Sequence, residues 1–376
     1  MVLTACGGNT AVSANNTHDA PDADPRPDVA HADTDTRADT DADTSTDTGA
    51  DAEDCGRCGR DGGSGECLEG ACRPVTIASA TGCALALDGD NVYWVTSDAD
   101  DEVLMAMPSA GGAQRALARS PHRVTSVAVD ADNLYFASTI SQGPAPNGAS
   151  GTLSRVPIRG GPTVTIATGA FNPSAIAVSG DNLYFTTLWQ SNFNPDDQER
   201  KGSVLKVPVE GGLVSTLVTG LEDAVDIAVD ANGVYWAQGF GAGCTWGCVL
   251  GVPLAGGTPT TIVSNATTTQ TNIRALAVNG TDVYWINEGI SSTAMKLSLL
   301  GGDPVVLASN QYEPRAIDVN TTSVYWTTHD GAVRKIPRPF GTPTTLATGQ
   351  CSACGIAAND AHVFWIGCNS LVTLPK

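Results

Sequence analysis

The chain has 376 residues, 41% of them hydrophobic, with 41 glycines and a formal net charge of −20. That length suits two ordinary domains or one large repeat domain, and the charge excludes the clustered cationic surface that nucleic-acid phosphates need. The acid is uneven: residues 1–54 carry thirteen acidic side chains against Arg26 and Arg37, a net charge of −11, and the far longer remainder is only mildly acidic.

The chain opens MVLTACGGNT, and Leu3, Thr4, Ala5 and Cys6 resemble the lipobox of bacterial lipoproteins, in which a Leu and two small residues precede a Cys that is lipidated after cleavage. The resemblance implies a lipid on Cys6, a signal remnant over residues 1–14, and a place in the bacterial cell envelope, at the outer membrane or cell surface. Membrane contact would then run through the lipid anchor alone. A secretory signal needs a basic segment and an apolar run of about 7–15 residues before its cleavage site. Only five residues precede Cys6, so the natural start is expected upstream. Residues 15–54, rich in Asp, Thr and Ala and nearly free of large apolar side chains, cannot bury enough surface to offset the entropy of ordering them and read as a disordered tether. Asp39, Asp41 and Asp43 begin like a calcium loop, but Thr44 and Ala50 stand where such a loop needs Gly and Glu.

Residues 55–72 form a Gly-rich, Cys-rich segment with Cys55, Cys58, Cys67 and Cys72. Two disulfides or one zinc ion would hold it; export to an oxidising compartment favours disulfides, in any of three pairings.

From residue 73 onward one motif recurs seven times: ALALDGDNVYW at 84, SVAVDADNLYF at 126, AIAVSGDNLYF at 175, DIAVDANGVYW at 226, ALAVNGTDVYW at 275, AIDVNTTSVYW at 316 and GIAANDAHVFW at 355. Each copy is an alternating apolar strand, an Asp/Asn/Gly turn, and a second strand led by Val or Leu and two aromatics, which is a hairpin signature. A third and a fourth strand follow most copies, as in GSVLKVPVEGG and LVSTLVTG. Four-stranded units at a period of about 40–50 residues predict an all-β fold, a seven-bladed β-propeller over 73–376 whose aromatics fill the wedges between blades. The last repeat ends at its third strand, LVTLPK, while RPVTIAS resembles GTPTTLATG. Residues 74–79 are therefore expected to supply the missing strand and close the ring.

Tyr325, Trp326 and Thr327 resemble the YWTD propellers of lipoprotein-receptor type and the wider set of bacterial surface propellers with Val-Tyr-Trp hairpins. Thr328 replaces the Asp of that motif, and the YWTD group usually has six blades. What the resemblance implies is fold rather than activity.

Repeat lengths differ in one place. From the Pro ending the third strand to the next aligned aromatic the count is 27 for Pro108 to Tyr135, Pro157 to Tyr184, Pro208 to Tyr235 and Pro337 to Phe364. From the aromatic to the Pro of its own blade it is 22, 24 and 18 in blades 2, 3 and 4 but 15, 12 and 11 in blades 1, 6 and 7. The loops between second and third strands of blades 2 to 4 should therefore raise a joint rim on one channel mouth, where loops on a rigid scaffold bind partners. Trp189 and Phe193 lie in the blade 3 loop. In blade 4, Cys244 and Cys248 flank Trp246. Cys83 and Cys354 hold equivalent positions in blades 1 and 7, with Cys351 and Cys368 flanking the same mouth, so two disulfides are expected there in preference to a thiolate metal site.

Polar residues expected near that mouth are His122, Arg123, Asn172, Glu222, Asp223, Arg274, Glu288, Glu313, Arg315 and His329. Asp318 replaces the Ala of the other six repeats at an inward position. The leading expectation is a monomeric binding scaffold, without cofactor, that takes a protein, peptide or glycan at the rim through Trp189, Phe193, Trp246, Arg123, Arg274 and Arg315. The alternative is a lactonase or lyase assisted by Ca2+ or another divalent ion in the channel, with Glu222, Asp223, Glu288, His329 and Asp318 as candidates.

Overall fold

A computed structural model describes residues 67–68, 71–139, 151–169, 172–187, 202–222, 224–239, 244, 247–264, 271–289, 292–339 and 341–376. The anchor, the tether, Cys55, Cys58, Trp189, Phe193, Asp223 and Trp246 lie outside the described residues. Seven four-stranded antiparallel sheets form a closed β-propeller, preceded by a two-stranded hairpin in which Cys67 and Cys72 are backbone partners.

The innermost strands of blades 1 to 7 are Leu85–Leu87, Arg123–Val129, Pro173–Ser179, Ala224–Val229, Thr271–Val278, Pro314–Val319 and Cys354–Ala358. Each touches the next around the ring, and the seventh touches the first. Local chemistry sets the hairpins. In blades 1, 2 and 4 to 7 the side-chain oxygen of Asp88, Asp130, Asp230, Asn279, Asn320 or Asn359 accepts hydrogen bonds from the backbone N–H groups two and three residues on. This Asx arrangement reverses the chain without help from another element. The turns between third and fourth strands are as regular: Gly111 N–H donates to Pro108 C=O at 2.9 Å, and equivalent bonds recur at Gly160, Gly211 and Gly256. Gly111 has φ 95° and Gly112 φ 136°, values that only glycine takes without strain, so the length here does not vary.

The aromatic pair has a geometric reason. Neighbouring residues on a strand point to opposite faces, so each pair serves two interfaces. Tyr184 of blade 3 packs with Trp236 of blade 4, Tyr235 with Trp285, Tyr284 with Trp326, Tyr325 with Trp365, and Phe364 of blade 7 with Trp94 of blade 1. In the remaining wedges Tyr93 and Phe136, then Tyr135 and Phe185, share one cluster. Every wedge thus holds the first aromatic of one blade and the second of the next. Packing is not their whole role. The Tyr93 hydroxyl donates to Asp88 Oδ2 at 2.5 Å and the Tyr135 hydroxyl to Asp130 Oδ2 at 2.6 Å, tying wedge to turn; burial, followed by the bond to the carboxylate, pushes both phenols above their ordinary pKa.

Closure follows the sequence reading. Val75–Ser79 pairs with the third strand of blade 7, Ser370–Pro375, with Thr76 opposite Val372 and Ser79 opposite Ser370. The Trp94 indole donates to Ser79 C=O at 2.9 Å, and Cys83 is bonded to Cys354. Blade 7 thereby has four strands like the other six.

Candidate functional site

The two ends of the channel differ. At the end of the Asx turns a cavity of about 1030 Å3 is lined by Leu87, Val129, Val178, Val229, Val278 and Val319, with Asp318 in its wall. Asp318 is only 6% exposed. Its Oδ2 accepts the Ala358 N–H at 2.8 Å, so the carboxyl bridges the inner strands of blades 6 and 7. Burial pushes its pKa up to about 6, against two backbone hydrogen bonds and the charge of Lys376. Lys376 Nζ lies 4.5 Å from the centre of the Tyr325 ring, and burial lowers it to about 8.

Asp318 is not the single inward anomaly that the repeat alignment suggests. Asp226, two positions upstream of the Ala equivalent to Asp318, is fully buried. Its Oδ1 accepts the Ile227 N–H and its Oδ2 the Leu276 N–H, both at 2.9 Å, bracing blade 4 against blade 5. Ser126 makes the same reach to Ile176 N–H, at 3.1 Å, between blades 2 and 3. Leu276 N–H loses this acceptor in Asp226→Ala, and a loss of about 1–3 kcal/mol is expected. Urea melts of the variant against wild type test it, and no change would remove the bracing role.

At the other end lie the loops. Second and third strands are separated by residues 140–150, 188–201 and 239–247 in blades 2, 3 and 4, but only by 99–100, 290–292, 329–332 and 368–369 in blades 1, 5, 6 and 7. Three disulfides fall here, Cys83–Cys354, Cys351–Cys368 and Cys244–Cys248. Of the candidate residues, Arg274 and Glu288 form an ion pair at 3.0 Å in blade 5. Arg123 is exposed at the start of its strand and Glu222 is exposed at the end of blade 3.

Among the described residues, several candidates converge in blade 6. His329 Nδ1 is 2.9 Å from Arg315 Nη2 and 2.7 Å from Ser352 Oγ. Arg315 also reaches Glu313 at 3.4 Å, and Glu313 Oε2 is 4.0 Å from His329 Nε2. The His329 ring is stacked with Tyr312, with centroids 6.3 Å apart and planes at 22°. Ser352 and Tyr312 complete a cluster that sequence reasoning found only in part. Tyr312, an aromatic outside the repeat pattern beside Glu313, was a legible signal; Ser352 comes from the next blade and carried none.

Gly331 permits the close approach of those two blades. Its φ is 78°, and a Cβ there would lie 2.5 Å from Gln350 N and 2.8 Å from Cys351 N. Glu313, Cys351 and Ser352 themselves have φ of 40°, 45° and 59°, a backbone that persists only where surroundings hold it. The Cys351–Cys368 bond supplies one such constraint.

Among the described candidates the acidic and imidazole groups are dispersed. Glu288 and Glu313 are paired with arginines, His329 Nδ1 faces Arg315 and Ser352, and Asp318 lies in the cavity at the far end. Among the described residues no three His, Cys, Asp or Glu side chains come together to hold a metal ion.

No family model matches the chain, and no curated protein matches its sequence. Solved structures do resemble it. A catalytically inactive virginiamycin B lyase from Staphylococcus aureus with quinupristin is similar with a TM-score of 0.57 at 9% identity, over 81% of this chain and 98% of that one. A prolyl endopeptidase is similar at 0.53 and 12% identity over 80% of this chain, which spans only 47% of its length. The computationally designed Ika8 protein is similar at 0.50 and 14% identity over 80% and 99%. At such identities the likeness is one of fold.

Proposed function

We propose that this chain is a lipid-anchored protein of the bacterial cell envelope whose propeller binds a partner at the loop-bearing mouth, a protein, peptide or glycan held by the rim of blades 2 to 4. The observation that carries this reading is the one-sided elongation of the loops at residues 140–150, 188–201 and 239–247 on a ring whose opposite turns are nearly constant. Loops that vary on a scaffold that does not are where recognition resides. Three disulfides at that mouth suit an oxidising compartment. The rim aromatics Trp189, Phe193 and Trp246 would supply contact area, and Arg123, Arg274 and Arg315 its polar border. The alternative reading is a lactonase or lyase assisted by a divalent ion at the channel mouth.

Deletion of residues 189–200 tests the reading. The thermal melt should stay unchanged while capture of envelope or extracellular partners, quantified by cross-linking and mass spectrometry, falls to background; capture equal to wild type would count against a rim site. A lipid on Cys6, sought by mass spectrometry of the protein from its native envelope, tests the anchor.

A further inference from the structure

The blade 6 cluster has a hydrogen-bonding pattern that selects a ligand class. Arginine has donors only, so the Arg315 contact at 2.9 Å requires His329 Nδ1 to present its lone pair. The Ser352 hydroxyl, at 2.7 Å, shares that lone pair. The ring proton of neutral His329 is therefore on Nε2, which faces Glu313 Oε2 across 4.0 Å. That span is too long for a direct hydrogen bond, yet one oxygen atom can sit within reach of both groups. Such an atom must accept from Nε2–H and donate to a carboxylate, as a bridging water does and as a ligand hydroxyl that displaces that water would. A carboxylate or phosphate oxygen has no proton to give Glu313 and is repelled by it. An ammonium has no lone pair for Nε2–H.

Charge and shape agree. Arg315 with Glu313, and Arg274 with Glu288, form ion pairs, so these four side chains carry no net charge. Tyr312, 58% exposed, lies stacked against His329 and offers an aromatic platform beside the polar groups. Hydroxyl groups next to an apolar C–H face describe a pyranose ring. We propose that Tyr312, Glu313, Arg315, His329 and Ser352 form a binding site for an uncharged sugar residue of a glycan. This names a ligand class for the mouth and rests on the binding reading above. The Cys351–Cys368 bond, beside Ser352, constrains the backbone of the site before the ligand arrives.

The test is a saturation-transfer NMR titration of the full chain with methyl glucoside, galactoside, mannoside and N-acetylglucosaminide, and with glucuronate and glucosamine as charged controls. At least one neutral glycoside should saturate, more tightly than either charged sugar, and Tyr312→Ala and Glu313→Ala should each weaken it about tenfold or more. Thermal melts of both variants check folding; Tyr312 is exposed enough for its loss to be tolerated. No saturation by any neutral glycoside, two variants that bind like wild type, or tighter binding of a charged sugar would overturn the proposal. The chain lacking residues 189–200 separates the two readings. Glycoside binding that survives the deletion places the sugar at blade 6, whereas rim-dependent partner capture without glycoside binding leaves the scaffold reading intact and removes this one.

Discussion

Replacing Cys83 and Cys354 together by serine is expected to lower the unfolding free energy by about 5 kcal/mol, against about 3 kcal/mol for Cys351→Ser with Cys368→Ser. The first bond joins residues 271 apart and the second residues 17 apart, and the loop-closure entropy that a cross-link removes from the unfolded chain grows with the logarithm of that separation. The Cys83 bond also sits at the seam. Blade 7 is completed by Val75–Ser79, which runs through residues 80–84 into Leu85–Leu87 of blade 1, and a Cβ on Gly355 would lie 2.3 Å from Cys83 C=O, so the backbones there are in contact. Urea melts of the oxidised proteins check the ranking. Equal losses for the two pairs would mean that the seam is already held by Val75–Ser79 on Ser370–Pro375 and by the Trp94 bond to Ser79.

Asp318→Asn is expected to stabilise the protein at neutral pH by up to about 3 kcal/mol and to remove a pH dependence between about pH 4 and pH 6. The sign follows from the direction of the shift. Burial raises Asp318 from the ordinary 3.8 to about 6, so the folded state holds the proton more tightly than the unfolded chain. Its favourable contribution is complete below about pH 4 and is lost as pH rises through 6, beyond which a buried carboxylate remains as a constant cost. Asparagine keeps an oxygen for the Ala358 N–H without the charge. Melts of wild type and variant across pH 4 to 8 give the difference directly. Parallel profiles would show that Lys376 and the two backbone donors already neutralise the cost of ionising Asp318.

Two carboxylates in similar settings were unequally legible. Asp318 stands out because it replaces an Ala that recurs at one aligned position, whereas Asp226 occupies a position held elsewhere by Ala84, Ser126, Ala175, Ala275, Ala316 and Gly355. That variety hides an Asp in a one-dimensional comparison. Its acceptor role, towards a backbone N–H fifty residues away in the next blade, exists only once the ring is formed. The same holds for the blade 6 cluster. Arg315 and His329 are joined by the pairing of Pro314–Val319 with Ser323–Thr328 and could be placed together from the hairpin alone. Ser352 arrives from blade 7 across a contact that Gly331 permits.

The sequence by itself determined the number of repeats, the hairpin in each, the closing strand and the side of the ring on which loop length varies. These depend on local matters: alternation along a strand, Asp and Asn side chains that cap their own turns, and glycines where φ is positive. It also placed an aromatic pair in every repeat, though not the reason for the pair, since the division of Tyr and Trp between two wedges is a property of stacked sheets. Tertiary structure alone decided which cysteines pair, which carboxylates are buried, and which polar residues share one mouth. Cys83 with Cys354, Asp226 with Leu276 and Ser352 with His329 are meetings between elements far apart in the chain, and how those elements meet is set by ring closure rather than by any one segment.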